Sequence, residues 1–217
     1  MIDREAVRSN AKYLRQVRPI DPEAIADYIE GRPHPAAVRR VLREEAYDLG
    51  LFERDDGTFV PVSTDPVPDP GWDPDRLPDR YVEPLQELLV ERYGANWHRG
   101  ESGDRLRETI RRLKADYYTQ TPVEYDEEVA LGYAIYHLPN YYAAVGYVLD
   151  DVVEQSLLRR RLRVLDVGAG VGGPAVGLLE YLPDDAIVGY HAVETSPAVR
   201  LLEPLLRRSP PDVRAKT

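Results

Sequence analysis

A glycine-rich run near the carboxyl end of the chain, VLDVGAGVGG at residues 164–173, constrains the fold more than any other feature. The apolar stretch that contains its start predicts a strand at residues 162–167, and a helix is predicted after it at residues 174–181. A second strand at residues 186–193 and another helix follow. Strand, helix, strand and helix joined by short loops predict parallel strands with crossover helices. The predicted fold class is therefore α/β, with the start of a doubly wound (Rossmann-like) parallel sheet at residues 161–217.

Two carboxylates flank the glycine-rich loop and indicate its ligand. Asp166 lies at the carboxyl end of the first strand, two positions before Gly168, where a carboxylate can hold an ammonium group directly or through water. Glu194 ends the second strand, where an acidic side chain can accept hydrogen bonds from both hydroxyls of a ribose. A ligand with an ammonium group and a ribose, but without a pyrophosphate, fits S-adenosylmethionine better than a nicotinamide dinucleotide. The predicted cofactor-binding residues are Asp166, Gly168, Ala169, Gly170, Gly172 and Glu194.

The glycine-rich loop and its two carboxylates resemble the first two motifs of class I methyltransferases. The glycine pattern alone is also found in nucleotide- and nicotinamide-binding folds. A loop that keeps its glycines for packing and binds no ligand is the structural alternative. The sequence assigns no catalytic residue, and its four histidines lack the spacing of a metal site.

A second resemblance lies upstream, in the run YAIYHLPNYYAAV at residues 133–145. It looks like the methyltransferase-like assembly factors of the small mitochondrial ribosomal subunit and their bacterial and archaeal relatives. There a tyrosine-bearing helix, a Leu-Pro or Met-Pro break and a second helix with Tyr-Ala-Ala precede the glycine loop. The matching residues are Tyr133, Leu138, Pro139, Tyr142, Ala143 and Ala144. This chain departs from the family at His137, where arginine is common, and in lacking cysteines for an iron–sulfur cluster.

The resemblance covers residues 122–205 and implies an S-adenosylmethionine-dependent methyltransferase-like protein. It also implies association with the small ribosomal subunit and its rRNA, in assembly or translation. A methyltransferase sheet of this class has more strands than the two predicted here before Thr217. Either the chain is truncated, or a partner chain or oligomer completes the sheet. The chain is an enzyme only if the fold is completed.

The rest of the chain divides into three predicted parts. Residues 1–62 contain three helical segments and a hairpin that turns at Gly57, an order that resembles a winged helix. Residues 63–80 are rich in proline and aspartate and predict an extended linker. Residues 81–160 predict a helical region, in which Pro139 separates two helices.

Composition limits the location and the partners of the protein. The sequence has no cysteine, no apolar stretch long enough to span a membrane and no secretory signal, which predicts a cytoplasmic protein without membrane contact. Acidic residues outnumber basic ones by 38 to 28, the formal net charge is −10, and only three basic residues are lysines. This balance is typical of proteins from halophiles, in which salt screens the acidic surface. A GC-rich genome would also favour arginine over lysine.

One alternative function is a non-enzymatic RNA- or ribosome-binding module. The tyrosines concentrated at residues 117–147 could stack on RNA bases, although packing between helices is the simpler interpretation. The arginines at residues 159–163 could bind phosphate, although a solvated helix end is again simpler.

Another alternative is a winged-helix DNA-binding regulator. Its candidate recognition residues are Arg39, Arg40 and Arg43 on the third predicted helix. Glu44 and Glu45 lie on the same helix and would repel phosphates, and winged helices also serve as protein-docking modules, so protein docking is the other role open to this part.

Overall fold

A computed structural model describes residues 2–198, 200–201 and 213–216 of the chain. Residues 2–62 form a unit of three helices and one hairpin, as predicted. Its elements are α1 (Arg4–Leu14), α2 (Pro22–Tyr28), α3 (Pro35–Leu49), β1 (Leu51–Glu53) and β2 (Phe59–Pro61), the two strands being antiparallel.

Local sequence explains where the helices of this amino-terminal unit begin and end. The carboxylates of Asp3 and Asp21 accept hydrogen bonds from the first amides of α1 and α2, and Gly50 ends α3 with a left-handed φ of +62°. Ile20 forms a β-bridge with Phe59 beside the hairpin. Both side chains are fully buried among the apolar faces of the three helices, so the unit has a core of its own.

The proline-rich segment at residues 62–78 contains no helix or strand, but it is packed against the protein. Val67 and Leu77 are buried. The indole Nε1 of Trp72 donates a hydrogen bond of 3.0 Å to the carbonyl oxygen of Ala143. The segment is therefore attached to the helical region along its length and is not a free tether.

Three helices follow: α4 (Asp79–Tyr93), α5 (Gly100–Thr119) and α6 (Glu127–Glu154). The predicted break at Pro139 is wrong, because α6 runs through this proline as one helix of 28 residues. A proline inside a helix removes one hydrogen bond and crowds the preceding turn. On α6, however, Ala134, Leu138 and Tyr142 are buried in one core on both sides of the proline. Burial of this continuous face outweighs the local cost.

Helix α6 packs closely against α7 (Gly173–Tyr181), and two glycines permit the contact. A Cβ atom added to Gly173 would lie 2.6 Å from the Cβ of Tyr141. At Gly177 it would overlap the Val145 side chain and lie 2.6 Å from the Tyr142 carbonyl oxygen. These two glycines therefore serve helix packing.

The carboxyl-terminal part contains β3 (Arg161–Val167), β4 (Ile187–Val193) and β5 (Val213–Lys216), which pair in parallel in the order β3-β4-β5. The α/β class is confirmed at this level. Strand β5 is a third strand that the sequence analysis did not predict. Of the helix predicted after β4, Arg200 and Leu201 are helical, and its continuation lies outside the described residues.

Strand β3 has one covered and one open face. Leu162 and Val164 pack against the core beneath α7. Leu165 and Val167 point the other way, and 68% and 75% of their surfaces are exposed. Among the described residues β3 also lies at the edge of the sheet.

The amino-terminal unit contacts the first residues of this open face. The Tyr47 ring lies beneath the guanidinium groups of Arg161 and Arg163, whose central carbons are 4.9 and 4.4 Å from the ring centroid. Arg163 also donates a hydrogen bond of 2.8 Å to a carboxylate oxygen of Asp48. Strand β3 is thus attached to α3 near the strand's beginning. Within the described residues, no helix is long and apolar enough to cross a membrane.

The glycine-mediated packing of α6 on α7 can be tested with two matched alanine substitutions. Gly177→Ala should destabilise the protein by about 1–3 kcal/mol, because the new methyl group overpacks the helix contact. Gly132→Ala, also inside a helix, meets Ile110 only at 3.4 Å and should be neutral or stabilising by up to about 1 kcal/mol, since alanine favours helices. Urea unfolding gives the free energy of unfolding of both variants. Equal changes in the two variants would contradict the role of Gly177 in helix packing.

Candidate functional site

The glycine-rich loop between β3 and α7 has a backbone that only glycine adopts readily. Gly168, Gly170 and Gly172 have φ angles of +78°, +54° and +83°, in the left-handed region. The amides of Gly168 and Ala169 donate to the carbonyl oxygen of Val193 at the end of β4, at 2.8 and 3.3 Å. The loop is therefore held to the neighbouring strand by its own backbone.

Glu194 reaches back from the end of β4 to the glycine-rich loop. One carboxylate oxygen accepts a hydrogen bond of 2.8 Å from the Gly170 amide, and the other accepts one of 2.7 Å from the Ser196 amide. Partial burial alone would raise the pKa of Glu194, but the amide hydrogen bonds from Ser196 and Gly170 outweigh burial, and the pKa is lowered. Glu194 is thus an ionised acceptor next to the loop, where the sequence predicts it.

A cavity of about 170 Å³ lies against the loop and Glu194. It is lined by Tyr125, Tyr133, Gly168, Gly170, Glu194, Ser196 and Ala198. The structure therefore brings three of the predicted site residues, Gly168, Gly170 and Glu194, to one hollow at the carboxyl ends of parallel strands. This is where open α/β sheets bind their ligands.

The other three predicted site residues do not line this cavity. Asp166 accepts a hydrogen bond from the hydroxyl of Tyr190, whose pKa is raised by burial and by this carboxylate. Ala169 is buried in the core beneath α7. Gly172 ends the loop as the N-cap of α7, and its amide donates to the Ala169 carbonyl oxygen at 3.0 Å. Asp166 therefore lies beside the loop and accepts a hydrogen bond from a tyrosine of β4.

Sequence reasoning missed four residues that line the cavity, namely Tyr125, Tyr133, Ser196 and Ala198. Tyr133 belongs to the matching run upstream of the loop, but that match gave no reason to place its ring against Gly170. The Tyr133 ring carbon Cε1 is 3.9 Å from the position of a Cβ added to Gly170. The Ser196 hydroxyl accepts a hydrogen bond of 3.3 Å from the Ala198 amide.

Most of the arginines considered as phosphate ligands are engaged within the chain. Arg43 of α3 pairs with both carboxylate oxygens of Glu53, and Arg39 lies 3.7 Å from the same group. In the later arginine run, Arg160 pairs with Asp185, and the next arginines contact the amino-terminal unit as described above. These pairings lower the positive charge that either segment offers to a nucleic acid.

The amino-terminal unit has a match among known sequence families. A family described as "Domain of unknown function (DUF8157) N-terminal domain" matches residues 4–55. The match extends from α1 through β1 and does not reach the glycine-rich loop. No curated protein matches the chain.

The hydrogen bonds of Glu194 predict a pH-dependent contribution to stability. Because its pKa is lowered in the folded protein, the carboxylate stabilises the fold above its ordinary pKa of 4.5, and this contribution is lost as the pH falls through the folded value. Glu194→Gln should cost about 1 kcal/mol at pH 7. The difference from wild type should shrink below pH 4.5.

Thermal unfolding from neutral to acidic pH measures this difference. Glu87→Gln, an exposed glutamate of α4, is the matched control and should leave the melting temperature nearly unchanged. If the difference in melting temperature between Glu194→Gln and wild type stays constant or grows as the pH falls, Glu194 is not the ionised acceptor described above.

Proposed function

We propose that this chain carries part of an S-adenosylmethionine site and acts as a class I methyltransferase-like protein with the small ribosomal subunit or its rRNA. One observation carries the cofactor proposal. Glu194, directly after β4, faces the same cavity as two left-handed glycines of the glycine-rich loop, Gly168 and Gly170. The ribosomal part of the proposal rests on the resemblance of residues 122–205.

The topology supports a Rossmann-like interpretation of the sheet. Strand β3, helix α7 and strand β4 form a parallel unit with the glycine-rich loop at its first turn, and β5 extends the sheet beyond β4. In doubly wound sheets the first such turn approaches the ligand, and the acid after the next strand binds a ribose. The cavity lies between these two positions.

The chemistry of the residues fits a ribose better than a pyrophosphate. A carboxylate has about four lone-pair directions, so Glu194 can accept ribose hydroxyls in addition to its two amide hydrogen bonds. A pyrophosphate needs amides at the start of a helix, and α6 packs against the first residue of α7, Gly173. The donor and acceptor groups therefore favour a nucleoside without a pyrophosphate.

S-adenosylmethionine, when bound, supplies an electrophilic methyl group on a positively charged sulfur. The chain's own part is to bind and orient. Glu194 would hold the ribose, the open space above Gly168 would allow close approach, and the carboxylate of Asp166 would attract an ammonium group. Positioning of this kind is most of what methyl transfer requires. The acceptor-side residues are not assigned.

A cofactor-free role as an RNA-binding scaffold is the second candidate, and the size of the cavity favours it. At about 170 Å³ the cavity is smaller than typical small-molecule pockets of about 300–1,000 Å³. The described residues therefore enclose only one portion of a nucleoside cofactor. If cofactor titration gives no heat while the chain still sediments with small ribosomal subunits, the scaffold role replaces the methyltransferase-like one.

Two alanine substitutions at left-handed glycines test the cofactor site. Gly168 and Gly31 have φ angles of +78° and +81°, and a Cβ added to either meets no atom within 4 Å. Both substitutions should therefore cost about 1–2 kcal/mol of stability through backbone strain. Only the Gly168 methyl group enters the space proposed for the cofactor.

Isothermal titration with S-adenosylmethionine should show binding to wild type and to Gly31→Ala, and at least a tenfold loss of affinity for Gly168→Ala. Circular dichroism confirms that each variant is folded. Absence of heat at millimolar cofactor with folded wild-type protein would refute the cofactor proposal, and so would equal affinities of the two variants.

A further inference from the structure

Three aromatic side chains of α6 form a stack that begins at the candidate site. Tyr133, His137 and Tyr141 are spaced four residues apart, so they project from the same side of the helix. The rings of Tyr133 and His137 are 4.4 Å apart and inclined by 35°, those of His137 and Tyr141 are 5.5 Å apart and inclined by 19°, and those of Tyr133 and Tyr141 are 6.3 Å apart and inclined by 25°, so each ring contacts the other two. We call these three residues the aromatic ladder.

The aromatic ladder is open to solvent on its outer side. Tyr141 is 42% exposed, and Tyr136, whose ring meets His137 edge-on at 4.8 Å, is 40% exposed. At the inner end Tyr133 lines the cavity beside the glycine-rich loop. The ladder therefore runs from the proposed cofactor site to the surface.

The exposed members of this surface can bind a flat polar ligand. Each ring is planar and carries a hydroxyl or a ring nitrogen at its rim, so it can meet a nucleic-acid base by stacking and by hydrogen bonding. Burial and then Lys114 lower the pKa of His137, so its imidazole is uncharged at neutral pH and can stack as a neutral ring. Flat, neutral rings with polar rims are the groups on which unpaired RNA bases stack.

One cation lies over the face of the Tyr136 ring, which adjoins the aromatic ladder. The Nζ of Lys114, on α5, lies 3.8 Å from the centroid of the Tyr136 ring. An ammonium group beside a stacking surface complements the phosphate that follows a stacked base. Since the whole chain has a net charge of −10, affinity here must come mainly from stacking and not from long-range attraction.

We propose that the aromatic ladder binds an unpaired base of single-stranded RNA, with Lys114 at the adjoining phosphate, and so places the base next to the glycine-rich loop. The inference deepens the proposed function and rests on it in one respect, namely that the bound base would be the methyl acceptor. The binding itself requires no cofactor.

Fluorescence anisotropy with a labelled single-stranded oligoadenylate tests the proposal. Tyr141→Ala and His137→Ala should each weaken binding by about 5- to 150-fold, the range expected for loss of one stacking contact. Tyr141→Ala keeps the Cβ atom that packs against Gly173, so the fold should be retained, and Tyr141→Phe keeps the ring and should bind like wild type. Tyr28→Ala removes a tyrosine on α2 that is 68% exposed and should have no effect.

Salt dependence and duplex RNA give two further readouts. With one phosphate contact, log Kd should rise with log salt concentration with a slope of about 0.7. Duplex RNA of the same sequence should bind much more weakly, because its bases are already stacked. The proposal is overturned if wild type does not bind the single strand, if the ladder variants bind like Tyr28→Ala, if duplex binds equally well, or if the slope corresponds to several phosphates.

The same variants separate this inference from the proposed function. Tyr141 does not line the cavity, so Tyr141→Ala should bind S-adenosylmethionine like wild type. RNA binding without cofactor binding would refute the methyltransferase-like role and keep the ladder. Cofactor binding without RNA binding would refute the RNA-binding role of the aromatic ladder and keep the proposed cofactor site.

Discussion

The contact between α6 and α7 determines how the groups around the cavity are arranged. Gly173 and Gly177 let the two helices approach very closely. A side chain at either position would overlap atoms of α6. Tyr133 lies on α6 and the glycine-rich loop leads into α7, so this contact sets the distance between the tyrosine ring and Gly170. Without it, the aromatic ladder and the loop would belong to separate surfaces.

Buried tyrosines paired with carboxylates hold the remaining elements together. The hydroxyls of Tyr81 and Tyr181 donate to Glu180 and Asp150 at 2.7 Å, and the hydroxyl of Tyr190 donates to Asp166. Burial, followed by the neighbouring carboxylate, raises the pKa of Tyr81 to about 12. Each pair joins two different elements of the fold and satisfies a hydroxyl that would be costly to bury alone.

Features that depend on local sequence could be predicted. The caps of the first helices, the turn at Gly57, the glycine-rich loop and the placement of Glu194 after β4 all follow from residue types at fixed spacing. They needed no knowledge of what packs against them. The partner of Asp166, by contrast, depends on the parallel register of two strands, in which Asp166 pairs with Ala192 and Tyr190 is two residues earlier on the same face.

Features that depend on packing could not be predicted. Pro139 is an unfavourable residue for a helix interior, and only the buried face on both sides of it explains why α6 continues. Trp72 lies in a segment whose prolines indicate an extended chain, and its hydrogen bond to Ala143 joins residues 71 positions apart. Strand β5 pairs with β4, although the sequence of β5 shows no strand pattern. In each case the deciding interaction joins distant parts of the chain.

The docking of α3 on β3 has a consequence for the glycine-rich loop. Arg161 and Arg163 fix the strand that enters the loop, Val193 binds the amides of the loop itself, and α6 supports the helix that leaves it. The loop is thus preorganised, with its unusual backbone angles maintained by the surrounding protein. A ligand that binds there meets a ready-made surface and loses little affinity to the entropy of ordering it.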